Sequence, residues 1–186
     1  MLSLFKGWVM TLYLVRHGET DWNLENRIQW DSDIPLNQTG ILQAREVKDK
    51  LKDISFDLCY TSPLERAYKT AQIIIEGKCP IISTSELIER DFGKIEGNPI
   101  TSEQSKKYWN YQLNSSDDEV EPVRHLLDRT RNFLIKLLQE HRNQTILIVT
   151  HGSTLRALHY NLTGYQTTED FMKFQVQNCQ IFQYEI

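Results

Sequence analysis

Thr11-Leu12-Tyr13-Leu14-Val15 is a run of apolar and β-forming residues that stops abruptly at Arg16-His17-Gly18-Glu19-Thr20. An apolar run of strand length that ends in a polar, glycine-bearing stretch reads as a buried strand feeding a functional loop. The pattern returns at Thr145-Ile146-Leu147-Ile148-Val149-Thr150, followed by His151-Gly152-Ser153. Strands apolar along their whole length, rather than at alternate positions, are covered on both faces, as in a parallel sheet between helical layers.

The intervening segments supply those layers. Asn37, a suitable N-cap, precedes a helical stripe of Ile41, Leu42, Ala44, Val47 and Leu51. Phe56 to Thr61 reads as a strand, and Pro63 opens a helix running through Ile75. A short strand follows around Ile81 and Ile82, then an irregular, glycine-marked segment from Glu86 to Gly97. Residues 98–120 are polar and read as a helix over Glu103 to Tyr111 followed by a Ser/Asp loop. Pro122 to His141 carries Leu126, Leu127, Phe133, Leu134, Leu137 and Leu138 in amphipathic spacing. A helix opens at His151, and Phe174 to Ile186 alternates as a final strand. The expected fold is a three-layer α/β/α sandwich with a mainly parallel sheet, as one domain over 1–186. Residues 1–9 are expected to be a frayed extension, with Met10 an alternative start.

At 186 residues such a chain buries roughly 70 % of its unfolded surface, enough for one sizeable core. A net charge of −4 argues against a duplex-binding surface, which needs clustered Lys and Arg. Cys59, Cys79 and Cys179 have no CxxC spacing and imply neither a disulfide framework nor a zinc knuckle. No signal peptide is expected, and no apolar run reaches the 18 or so residues that span a bilayer. A reducing cytoplasm and no membrane or nucleic-acid partner are therefore the expectation.

In an open α/β sheet, ligands bind beyond the carboxyl ends of the strands, so His17 and His151 are candidates for one cleft. Gly18 and Gly152 remove Cβ where backbone would approach a ligand, and a helix beginning after His151 would aim free N–H groups at an anion. Arg16 and Arg66, the latter a turn into the helix after the second strand, suit the grip of a phosphoryl group.

These residues resemble the histidine phosphatase superfamily, also called the phosphoglycerate mutase-like family, over nearly the whole chain. Leu14-Val15-Arg16-His17-Gly18-Glu19-Thr20 is similar to its signature, and the likeness continues through Trp22-Asn23, Asn26-Arg27, Asp33, Pro35-Leu36 and Gly40. Thr61-Ser62-Pro63-Leu64-Glu65-Arg66-Ala67 and Thr70-Ala71 look like its second motif. Leu87, Glu89, Asp91-Phe92-Gly93 and Glu96-Gly97 look like its acid-bearing loop, and Val149-Thr150-His151-Gly152 like its last motif.

The resemblance implies a metal-independent phosphomonoesterase without cofactor, acting on a small phosphorylated metabolite. His17 would be the nucleophile, forming a phosphohistidine. Arg16, Arg66 and a protonated His151 would neutralise the phosphoryl oxygens, with Glu89 as general acid and base, favoured by a carboxyl pKa raised by burial. Asn23, Gln29, Ser62 and Gly152 would bind phosphate or substrate. Bland readings stand beside these: Glu89 pairing with Arg90 or Lys94, and Ser62 serving as a helix N-cap. The family's Gly-Glu-Ser is Val120-Glu121-Pro122 here, so Glu121 and Arg129 read as surface or structural pairing. Trp30, where glycine is usual, either narrows the cleft, stacks on a substrate ring or packs over its loop. Tyr108, Trp109 and Tyr111 read as a lid, a homodimer patch or, more plainly, a satellite core.

The acid loop, Glu89-Arg90-Asp91-Phe92-Gly93, is nearer to the small phosphatases and α-ribazole phosphatases than to the mutases. Residues 98–120 offer only Lys106 and Lys107 to grip a carboxylate. The alternatives are a cofactor-dependent phosphoglycerate mutase, an α-ribazole-5'-phosphate phosphatase, and a catalytically silent phosphate- or partner-binding module.

Overall fold

The computed structural model describes residues 9–186, so the expected extension lies outside the described residues but for Val9. Among the described residues, five strands form one sheet: β1 (Thr11–Arg16), β2 (Leu58–Thr61), β3 (Ile81–Ser83), β4 (Thr145–Thr150) and β5 (Ile181–Glu185), in the order β3-β2-β4-β1-β5. All neighbouring pairs are parallel except β1 with β5. The helices are α1 (Asp21–Leu24), α2 (Gln38–Lys50), α3 (Glu65–Ile75), α4 (Ser102–Tyr108), α5 (Val123–Glu140) and α6 (Gly152–Thr163).

Strand alternation sorts the central residues into two layers. Leu12, Leu14, Ile146 and Ile148 pack against Phe133, Leu134 and Leu137 of α5 and Leu155 and Leu158 of α6. Tyr13, Val15, Leu147 and Val149 face the other way, onto Val47 of α2 and Ala67, Ala71, Ile74 and Ile75 of α3. Each fully buried aliphatic side chain in these layers contributes about 1.5–3 kcal/mol of transfer free energy. The expected sandwich and its mainly parallel sheet are present.

Several boundaries differ. The last strand begins at Ile181 rather than Phe174, because Phe174 to Gln180 leave the sheet edge to line the end of β1, where Cys179 N–H donates to the Arg16 carbonyl (3.0 Å). The α4 helix stops at Tyr108, and α1, four residues closed by a Thr20–Asn23 capping box, is too short to show a period. Tyr108 and Trp109 are buried in two small satellite clusters and Tyr111 packs at the edge of one, as the plainer reading expected.

Candidate active site

The register of β1 on β4 places the two histidines. Arg16 pairs with Thr150, and the His17 amide donates to the Thr150 carbonyl at 2.9 Å, so His17 and His151 leave adjacent parallel strands side by side. Their ring centroids are 5.1 Å apart. On the far side of β4, Thr61 of β2 pairs with Val149, which brings α3 and Arg66 to the same end of the sheet.

A cleft of about 190 Å³ opens there, lined by Arg16, His17, Asn23, Gln29, Glu89 and Gly152 among the expected residues. Arg66 and His151 are fully buried beside it. Arg66 is held by donating from Nη1 to the Ser32 carbonyl and from Nη2 to the Trp30 carbonyl, both at 3.0 Å. Arg16 Nη1 donates to the Val176 carbonyl at 3.0 Å. These bonds fix both guanidiniums but leave Nε of each buried without an acceptor among the described residues; Gln29 Nε2 and both ring nitrogens of His151 are in the same condition.

His17 Nδ1 lies 2.7 Å from the Gly18 carbonyl, which can only accept. The proton is therefore on Nδ1 and the lone pair on Nε2. Burial first, then the charges of Arg66 and Arg16, hold the His17 imidazole well below its usual pKa. Burial, Arg66, His17 and Arg16 do the same to His151. Without an anion in the cleft the fold holds His151 toward the neutral form, through burial first and then the two buried arginines, so the expected protonated form needs a bound anion.

Glu89 is buried at the N-terminus of α6. Its carboxylate accepts from the Ser153 amide (3.1 and 3.2 Å), the Thr154 amide (3.2 Å) and the Arg90 amide (2.8 Å). The helix N–H groups expected to meet a ligand anion are instead occupied by Glu89, as the helix dipole favours. Neither bland pairing forms: Lys94 binds Glu119 at 2.7 Å, and the Arg90 guanidinium donates to the Glu121 and Tyr108 carbonyls. Glu121 and Arg129 do pair structurally, but in a largely buried setting. Arg129 Nε donates to Glu121 at 2.8 Å, and its Nη groups donate to the carbonyls of Glu86, Ile88 and Glu89, clamping the acid-bearing segment.

Gly18, Gly152, Ser62 and Trp30 each have a definite setting. A Cβ on Gly18 would lie 2.5 Å from the Gly40 carbonyl oxygen, so Gly18 is required by close packing on α2 and not by a ligand. Gly152 does face the cleft: its Cβ would sit 3.6 Å from Arg16 Nε and 3.7 Å from Glu89 Oε2. Ser62 is buried away from the cleft lining, its Oγ accepting from the Leu64 amide at 3.3 Å in the turn before α3, which starts at Glu65. The Trp30 side chain packs over its loop against the cluster of Ile28, Phe92, Tyr108 and Val120.

The structure adds residues to which no role was expected. Arg156 and Arg27 line the cleft. Asn178 donates to the His17 carbonyl (3.0 Å) and to Asn23 Oδ1 (3.1 Å), tying the segment before β5 to the loop that carries His17. Arg27 was visible only as part of a motif; nothing local singles out Asn178, since 161 positions separate it from His17.

A family model described as histidine phosphatase superfamily (branch 1) matches residues 12–186. The chain belongs to the histidine phosphatase superfamily. Within this family it is 43 % identical over 152 residues to the uncharacterized phosphatase PhoE of Bacillus subtilis, covering 81 % of this chain and 76 % of that one. It is 35 % identical to a 2,3-bisphosphoglycerate-dependent phosphoglycerate mutase of Bartonella quintana, over 86 % of this chain and 84 % of the relative. The crystal structure of an Entamoeba histolytica phosphoserine phosphatase mutant in complex with phosphoserine superposes with a TM-score of 0.83 at 31 % identity, covering 94 % of this chain and 89 % of that one. The family supports an enzyme acting on phosphate esters. No helix among the described residues is long and apolar enough to cross a membrane.

Proposed function

We propose that this chain hydrolyses small-molecule phosphomonoesters through a phosphohistidine on His17, without a metal. One observation carries the reading: buried donors without acceptors, on Arg16, Arg66 and Gln29, gather with His151 around an imidazole whose Nε2 carries the lone pair. Unmatched buried donors are expensive, and a dianionic phosphoryl group is the acceptor that satisfies them together.

In the first step Nε2 attacks phosphorus, the P–N bond forms and the P–O bond to the alcohol breaks, with Glu89 delivering a proton to the leaving oxygen. In the second step Glu89 takes a proton from water, whose oxygen attacks phosphorus; the P–N bond breaks and inorganic phosphate leaves. Arg16 and Arg66 balance the equatorial oxygens throughout, the electrostatic work a metal would otherwise do. A phosphoryl dianion would also raise the His151 pKa and draw a proton onto it.

The likeness to a mutase supports a second reading, in which the phosphohistidine is held and returned to substrate. Release of inorganic phosphate from p-nitrophenyl phosphate and a panel of metabolite phosphomonoesters, with EDTA present, separates the two. Turnover in EDTA that is abolished by His17→Ala is the expected result. Equal turnover in wild type and variant would end the phosphohistidine assignment, and phosphoryl exchange without net hydrolysis would point to the mutase.

A further inference from the structure

Trp109 directly follows α4 and is buried outside the cleft lining. Two guanidiniums lie over its ring: Cζ of Arg90 is 5.1 Å from the ring centroid and Cζ of Arg156 is 4.8 Å from it. Arg90 follows Glu89 in the acid-bearing segment and is itself buried. Its Nε and Nη2 donate to the Glu121 carbonyl, at 2.8 and 2.6 Å, and Nη2 also donates to the Tyr108 carbonyl at 2.9 Å. Its Nη1 is buried without an acceptor among the described residues. Arg156 belongs to α6, and its Nε donates to the Phe174 carbonyl at 3.0 Å. Burial pushes both guanidinium pKa values down to about 10, so each stays cationic at neutral pH, and the charge of Arg156 acts against that of Arg90. A neutral ring with a negative face covers two buried like charges without adding a third charge or demanding a hydrogen bond.

The amides that hold the Glu89 carboxylate come from two elements. The Arg90 amide, at 2.8 Å, belongs to the acid-bearing segment, and the Ser153 and Thr154 amides, at 3.1 to 3.2 Å, belong to the first turn of α6. The Arg90 and Arg156 side chains leave these same two elements and meet on one ring. We infer that Trp109 is a positioning residue: it ties the acid-bearing segment to α6 and so fixes the amide cradle in which the Glu89 carboxylate sits. The ring touches no reacting group and acts only through the two arginines, as a support behind a site whose geometry must be held closely. This deepens the phosphomonoesterase reading and rests on it for the role of Glu89.

The test compares p-nitrophenyl phosphate with benzyl phosphate, two aromatic esters of similar size. Nitrophenolate departs without a proton, whereas the benzyl oxygen needs one from the general acid, so the ratio of the two reads proton delivery rather than fit. The quantity followed is kcat/KM, which reports the first phosphoryl transfer, at a temperature where melts show each variant folded. In Trp109→Leu, kcat/KM on benzyl phosphate is expected to fall about 100-fold, the cost of a 1 Å misplacement, and on p-nitrophenyl phosphate by less than about 10-fold. Trp109→Phe keeps a ring that holds cations less strongly, so its loss on benzyl phosphate should be intermediate, about 10-fold. Should Trp109→Leu not fold, Trp109→Phe carries the test alone. An equal loss on both esters, or an unchanged ratio in Trp109→Phe, would make Trp109 a packing residue only and overturn the inference while leaving the phosphatase reading intact. A wild type that releases phosphate from neither ester, or a His17→Ala variant as active as wild type, would end that reading and this inference with it.

Discussion

Replacing Arg129 with Met removes the clamp on the acid-bearing segment, and the structure sets the scale of the loss. The Glu121 side chain is 7 % exposed and that of Arg129 17 %, so the pair is largely out of water. Burial would raise the Glu121 pKa, but the bonds and charge of Arg129, helped by His125, hold it below the usual value. Removing one member of a buried pair leaves an uncompensated charge, which costs about 3–5 kcal/mol. For a chain of this length that is about 6–20 °C in Tm. The carbonyls of Glu86, Ile88 and Glu89 lose their donor as well. The Glu89 backbone then loses a tie while its carboxylate keeps the Ser153, Thr154 and Arg90 amides, and a residual 1 Å misplacement is worth about 100-fold in kcat. Urea unfolding of Arg129→Met, Glu121→Gln and the double variant measures the coupling, and p-nitrophenyl phosphate turnover reads the site. A single-variant loss below about 1 kcal/mol, as for an exposed ion pair, would refute the reasoning.

Gly18→Ala should be harmful without touching substrate: its Cβ, 2.5 Å from the Gly40 oxygen, must retreat about 0.9 Å to reach ordinary contact at 3.4 Å. A stability loss of about 1–3 kcal/mol and a fall in kcat of the order of 100-fold are expected from melts and turnover. Stability should fall as pH drops below about 6.5. The folded-state pKa values of His17 and His151 lie below their unfolded values, so the unfolded chain binds more protons there, at up to about 1.4 kcal/mol per pH unit for each group. Melts from pH 7.5 to 5 should show this slope, reduced in His151→Asn; a flat profile in the wild type contradicts the assignment. Asn178→Ala should lower kcat/KM about 10-fold while costing no more than about 2 kcal/mol, the worth of its two hydrogen bonds; a loss of stability with unchanged kinetics would make Asn178 merely a tether.

Much of this architecture is legible along the chain. Two fully apolar strands ending in His-Gly require a covered parallel sheet and a shared strand end, because apolar periodicity and glycine punctuation are local properties. Helices with a wide apolar stripe, such as α5, are read for the same reason. The weak region, 98–120, carries its buried aromatics singly, and Tyr108 becomes core only because Val120 and Phe92 arrive beside it.

The site divides along the same line. Residue type and spacing were enough to bring Arg16, His17, Arg66 and His151 forward as candidates, since such groups at strand ends suit a phosphoryl grip; Glu89 came only with the family resemblance. Protonation and partnership were not open to that argument. Without an anion, burial and two arginines hold His151 toward the neutral form, and the α6 N-terminus is taken by Glu89. Arg156 lines the cleft, and Asn178 reaches the His17 carbonyl, only because α6 and the segment before β5 come to the end of β1 in the folded chain. Desolvation and charge proximity are sums over neighbours far apart in the chain, so they exist only once the strands have paired.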